Sequence, residues 1–204
     1  EGYGEDPYVN SVFSAATVRA YQGDSLADEG SIAACLKHYI GYAASTGGRD
    51  YSYTEISDQA LWDTYMPPYR AGVEAGAATV MSSFNDINGV PSTANRYLLT
   101  DVLRKRLGFG GFVVSDWNAV EQLVSQGVAA DRAKAAVKAL QAGVDMDMGD
   151  NVYAQTLSQA IERGDIDMAV LDTAVARVLD LKFRMGLFEN PYTRELPESE
   201  RMVL

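Results

Sequence analysis

Four places in this 204-residue sequence set polar groups directly after, or within, a short apolar run. Phe112-Val-Val-Ser115 ends at Asp116-Trp117, and Ile32-Ala-Ala-Cys-Leu36 ends at Lys37-His38. Thr79-Val-Met-Ser-Ser-Phe84 leads into Asn85, and Val144-Asp-Met-Asp-Met148 alternates carboxylates with methionines. Runs this short, bounded by glycines and helix-start signals, read as buried strands. The groups that follow them then share one edge of a sheet, where α/β folds gather their chemistry. The set offers several carboxylates, an indole, an ammonium, an imidazole and several hydroxyl-binding side chains. Carbohydrate chemistry asks for that mixture: a carboxylate for an oxocarbenium-like transition state, polar groups for sugar hydroxyls and a ring for stacking. Each group alone has a plainer reading. Asp116 serves equally well as an N-cap, Lys37 as a snorkelling surface residue and His38 as a core histidine. Ser82 and Ser83 read as plain strand residues, and Asp145 and Asp147 as a polar edge facing a helix.

The elements that must hold these groups alternate. Asp6-Pro7 starts a helix over Tyr8 to Tyr21, closed by Gly23. The strand Ile32 to Leu36 follows, then a glycine-rich aromatic loop from Tyr42 to Tyr53, long enough to suggest a functional loop. Ser57 to Glu74 reads as helical, with Pro67-Pro68 making a break or kink. After the strand at Thr79 and the loop Asn85 to Pro91, Asn95 can cap a helix bearing Leu98, Leu99, Val102, Leu103 and Leu107, closed by Gly108. Beyond Asp116 come helices over Val120 to Gln126 and Asp131 to Ala142, the strand Val144 to Met148, and helices over Val152 to Arg163 and Met168 to Met185. Repeated helix–strand alternation with apolar strands implies an α/β fold with a parallel sheet under outer helices. Strands that each end in polar residues suit a partial (β/α)8 TIM-type barrel. A doubly wound open sheet is the other arrangement, without a dinucleotide or phosphate-loop fingerprint to support it.

Composition removes other classes. A net charge of −11 argues against nucleic acid as a partner. No apolar run is long enough to span a bilayer. One histidine and one cysteine do not make a zinc site, and the acidic stretch from Asp145 to Asp150 lacks the glycine position and final glutamate of a calcium loop. No metal or cofactor is therefore expected. Cys35, inside an apolar run, reads as a small buried hydrophobe. The opening Glu1 to Pro7 looks like the middle of a loop, which suggests a segment of a longer chain.

Several stretches, in order, resemble glycoside hydrolase family 3, in the N-terminal barrel domain of its β-glucosidase-type members. They are Glu1-Gly-Tyr-Gly-Glu-Asp-Pro-Tyr8, Lys37-His38, Met81-Ser-Ser-Phe-Asn85 with Asn88-Gly-Val-Pro91, Gly110 to Trp117, and Ala142-Gly-Val-Asp-Met-Asp147. The resemblance implies that residues 1–190 are the C-terminal portion of a glycosidase barrel and 191–204 the start of a linker to a following α/β domain. It implies a retaining, exo-acting hydrolase of β-linked oligosaccharides or glycosides, with Asp116 as nucleophile. Lys37, His38, Trp117, Met81 and Arg49 are implied as substrate-binding residues, with Trp117 on the aglycone side. A periplasmic or secreted location is implied as well.

The sequence departs from the family pattern. Phe84 stands where the family has a tyrosine whose hydroxyl reaches the nucleophile, and the Arg before Glu1 and an upstream sugar-binding Asp are not in this chain. The acid/base Glu of two-domain members belongs to the following domain. The loop from Gly41 to Tyr53 has no His, which sets the hexosaminidase branch aside. Asp50, Asp86 and Asp147 are the in-chain carboxyls that could stand in as the second one. A β-xylosidase, an inert carbohydrate-binding paralogue and an aldolase using Lys37 are the alternative readings.

Overall fold

The computed structural model describes residues 2–192; Glu1 and nearly all of the expected linker lie outside the described residues. Helix α1 spans Pro7–Gln22, with Asp6 accepting from the amides of Tyr8 and Val9 and Gly23 ending it. Its last residue ties the fold's first layers together. The Gln22 side chain donates to Gly76 O at 2.8 Å and accepts from the amides of Ala34 at 3.1 Å and Ala78 at 2.9 Å. One amide thus fixes the start of two strands.

Those strands are β1 (Cys35–Tyr39) and β2 (Thr79–Ser82). With β5 (Phe112–Trp117) and β6 (Met146–Met148) they form a parallel sheet in the order β1-β2-β5-β6. Helix α2 joins β1 to β2 through consecutive segments Asp58–Ala60, Leu61–Tyr65 and Met66–Glu74. Helix α3 (Tyr97–Arg106) joins β2 to β5, and α4 (Gln122–Ser125) and α5 (Arg132–Ala142) join β5 to β6. Helices α6 (Val152–Glu162) and α7 (Met168–Arg184) follow. The architecture is the expected α/β one, adjacent parallel strands of a (β/α)8 TIM-type barrel with outer helices.

The core lies between sheet and helices. Val80, Leu99, Leu103, Val113, Ala136 and Val144 are all fully buried there, and each of the larger ones contributes about 2 kcal/mol by leaving water. Two glycines permit the closest approaches. A Cβ on Gly72 would lie 2.5 Å from a Leu36 methyl, so α2 rests directly on β1; a Cβ on Gly111 would lie 1.9 Å from Ala78 O, where β5 starts against β2.

Several details differ from the sequence reading. β1 begins three residues later than Ile32, because the Gln22 side chain and the Ile32-to-Tyr21 backbone bond hold the stretch before it. Lys37 and His38 therefore lie within the strand rather than beyond it. Cys35 is exposed, not buried: Leu36 takes the helix side of β1, and Cys35 and Lys37 take the opposite face. The loop after Asn85 is a hairpin of β3 (Asp86–Ile87) and β4 (Val90–Pro91) around Asn88-Gly89, both with positive φ, the signature of a type I′ turn. Pro67-Pro68 does not break α2. The preceding turn, Leu61–Tyr65, widens to a π-helix, which relieves the clash a proline ring makes with the carbonyl one turn back.

Asp145 is not at the chemical edge either. It lies on the N-terminal side of β6, its side chain 1% exposed, and accepts from Arg104, from Arg177 at 2.8 Å and from the Val113 amide at 2.8 Å. It fastens α3 and α7 to the sheet.

Candidate active site

At the C-terminal ends of β1 and β5, His38 and Asp116 meet. His38 Nε2 stands 3.5 Å from Asp116 Oδ2, with both side chains close to nine-tenths buried. His38 is held on two sides. Tyr69, on α2, donates its hydroxyl to His38 O at 2.5 Å, and the Tyr42 ring packs edge-on against the imidazole with centroids 4.9 Å apart. The peptides Lys37–His38 and Tyr39–Ile40 are cis.

The two oxygens of Asp116 differ. Oδ1 accepts from the Trp117 amide at 2.7 Å, whereas Oδ2 is buried and accepts no hydrogen bond from the described residues. Asp116 does not cap a helix with its side chain: α4 starts after Glu121, without a side-chain cap. The N-cap reading of Asp116 falls on that observation. An unbonded buried carboxylate oxygen is costly, and such exceptions call for an explanation.

The other residues singled out by sequence lie on β1, β2 and β5 and on the loop after β1. Trp117 ends β5 with 58% of its surface exposed. Lys37 is exposed on the β1 face opposite Leu36, and Met81, partly buried, occupies β2 in register with Val114. Arg49 is exposed at the end of the short Thr46–Gly48 turn, and no hydrogen bond or ion pair joins it to Asp116 among the described residues.

Ser82, Ser83 and Asn85 belong to the scaffold. Ser82 pairs with Thr93 at 3.0 Å, Ser83 donates to Asn85, and the Asn85 amide donates to Thr54 Oγ1 at 3.0 Å and Asp86 O at 2.9 Å. All three are buried, so this expected part of the pocket is a buried network under the β3–β4 hairpin. The remaining in-chain carboxyls are also engaged. Asp50 accepts from the Tyr42 hydroxyl at 2.5 Å, Asp86 from the Thr54 amide at 3.0 Å and Asp147 from the Tyr153 amide at 2.7 Å.

Phe84 has aromatic neighbours: Tyr51 at 4.6 Å and Tyr42 at 6.2 Å between centroids. Burial and the Asp50 carboxylate push the Tyr42 phenol up, so it remains a donor. Tyr42, Tyr51 and Tyr69 are not among the site residues that the sequence marks. The long aromatic loop from Tyr42 was the available signal for two of them; nothing marked Tyr69 on its helix. A separate surface depression of about 740 Å³, lined by Tyr53, Glu55, Asp86 and Asn88 among others, does not include Asp116 or His38.

A parallel (β/α) barrel sheet with a buried carboxylate and an imidazole at its strand ends is an arrangement shared by many barrel proteins. The family model described as "Glycosyl hydrolase family 3 N terminal domain" matches residues 1–181, and the chain belongs to that family. It is 44% identical to a periplasmic beta-glucosidase of Salmonella typhimurium, covering 100% of this chain and 26% of that protein. It is 40% identical to a beta-xylosidase of Formosa agariphila, over 93% of this chain and 28% of that protein. The crystal structure of a beta-glucosidase from Listeria innocua in complex with glucose superposes with a TM-score of 0.94 at 39% identity, covering 100% of this chain and 29% of that one. The chain thus spans about a quarter of the length of these relatives.

Proposed function

We propose that this chain supplies the nucleophile and the sugar-binding face of a retaining, exo-acting β-glycoside hydrolase of β-glucosidase type. The observation that carries the reading is Asp116: one oxygen anchored by the Trp117 amide, the other buried 3.5 Å from His38 Nε2 and accepting no hydrogen bond from the described residues. A nucleophilic carboxylate needs that asymmetry, since a lone pair tied up in hydrogen bonds is a weaker nucleophile. Asp116 Oδ2 attacks the anomeric carbon as the bond to the leaving oxygen breaks, and a general acid gives that oxygen a proton. The same group, now a base, takes a proton from water, which attacks the anomeric carbon of the ester as its bond to Asp116 Oδ2 breaks, freeing the carboxylate and returning the sugar with its original configuration.

His38 and Lys37 act on glycone hydroxyls in this reading, Met81 and Arg49 complete the glycone pocket, and Trp117 packs on the leaving group. Retention needs a second carboxyl about 5 Å from the first. Asp50, Asp86 and Asp147 each already serve another partner, which supports an acid/base from a following α/β domain. Residues 1–190 are then barrel and 191–204 the linker. The name of the Salmonella relative supports a periplasmic or secreted location. The Formosa relative keeps β-xylosidase as the second reading.

The full-length protein tests this with a 2-deoxy-2-fluoro β-glucoside. We expect a stable covalent adduct on the peptide carrying Asp116, and a loss of roughly 10³-fold or more in kcat for Asp116→Ala with the fold intact. Turnover within tenfold of native in Asp116→Ala removes Asp116 from the mechanism. Binding without labelling makes the protein a carbohydrate-binding paralogue.

A further inference from the structure

Trp117 projects from the strand that carries Asp116, and its exposed indole needs something to fix its direction. The turn after β6 supplies it. Asn118, itself at φ 56°, donates its amide to Met148 O at 2.8 Å, which brings the two strand ends together. Gly149, at φ +93°, then lies close against the indole: a Cβ there would stand 2.7 Å from Trp117 Cδ1 and 2.8 Å from Nε1. Any other residue would collide with the ring at that point.

The turn is fastened at both sides of this glycine. Asp150 Oδ2 accepts from the Glu121 amide at 2.8 Å, in the segment that follows Trp117. Asp150 Oδ1 accepts from the Val152 amide at 3.3 Å at the start of α6. Arg132 on α5 donates to Asp150 O at 2.7 Å, and Asp147 accepts from the Tyr153 amide at 2.7 Å. The Asp147–Asp150 turn is therefore tied to α5, to α6 and to the loop that leaves the indole. It is a rigid floor under one edge of the ring.

We propose that Gly149, held in place by Asp150, is a positioning residue that sets the Trp117 indole and through it selects the leaving group. The inference rests on the functional reading given above, in which Trp117 meets the aglycone. A ring displaced by a fraction of its width changes stacking on a flat aryl or sugar aglycone and leaves a methyl aglycone nearly untouched.

The test uses the full-length protein and β-glucosides that share glucose and differ in the leaving group: methyl, 4-nitrophenyl and glucosyl. For Gly149→Ala we expect KM to rise about tenfold for the aryl glucoside and the disaccharide and less than about twofold for the methyl glucoside. Gly164→Ala is the control, because Gly164 has the same kind of backbone, φ +73°, and nothing within 4 Å of an added Cβ. We expect it to leave all three KM values unchanged. In a Trp117→Ala background the Gly149→Ala effect should vanish, since residues acting through one group are not additive. Equal losses on all three substrates, a matching pattern in Gly164→Ala or full additivity with Trp117→Ala would overturn the proposal. A crystal structure of Gly149→Ala reads the indole without turnover: an unmoved ring overturns the positioning role. Absence of turnover by the native full-length protein on every β-glucoside overturns the functional reading instead.

Discussion

Asp147 accepts from the Tyr153 amide at the start of α6, a scaffold contact with a consequence for stability. Burial pushes its pKa up, the Tyr153 amide pulls it down, and the neighbouring Asp150 charge pushes it up again, for a net rise. The folded protein thus favours the protonated form more than the unfolded chain does. That contribution to stability is present below the ordinary carboxylate range and is lost as pH rises through the raised folded value. Asn keeps an oxygen for the Tyr153 amide and carries no charge. Asp147→Asn should therefore melt higher than the native protein at about pH 7, with the gap closing toward about pH 4; a lower melting temperature at neutral pH contradicts this. Asp116, Lys37 and His38 stand out in the sequence as candidates because their types and their places after apolar runs suggest chemistry, and the structure brings two of them, Asp116 and His38, together. Asp145 and Asp147 were legible as polar residues facing helices, but the particular partners that they and Asp150 take were not. Their roles depend on partners far along the chain or on the turn's own geometry, and alternation alone does not say which face each one takes.

Among elements, the helices and the order of the strands were legible from apolar spacing, caps and glycine stops. What escaped was the bonding of particular turns. Asn88-Gly89 is a strong hairpin signal, yet the two-residue strands beside it are too short to show a period. The π-turn ahead of Pro67-Pro68 leaves no trace in hydrophobic spacing, and it carries Tyr69 onto His38. The ion cluster at Asp145 is the largest test at this scale. Removing that carboxylate leaves Arg104, 9% exposed, without its charge partner, and an uncompensated buried charge costs about 3–5 kcal/mol. Asp145→Ala should lower unfolding stability by about that much in urea titration, since α3 and α7 lose their tie to β6. Asp101→Ala, which removes an exposed partner of Lys105 on the same helix, should change little because solvent screens such pairs.

At the scale of the molecule, the described strands leave one face of the sheet open, with Cys35, Lys37 and Met146 exposed on it. The strand-end pattern already suits a partial barrel, but no spacing in these residues shows how much of a barrel they represent. If the proton donor comes from a following domain, residues 1–204 expressed alone should give no turnover of an aryl β-glucoside above background. Substantial turnover would place the acid/base inside this chain, with Asp50, on the aromatic loop beside His38, the first carboxyl to substitute.

The bond from the Trp117 amide to Asp116 Oδ1 outlasts the first half of the proposed reaction. Once Oδ2 is esterified, Oδ1 becomes a carbonyl oxygen, and the same amide draws electron density from the ester and makes the carboxylate a better leaving group. A contact that steadies the attacker thereby also shortens the life of the intermediate, so one backbone N–H serves capture and release alike.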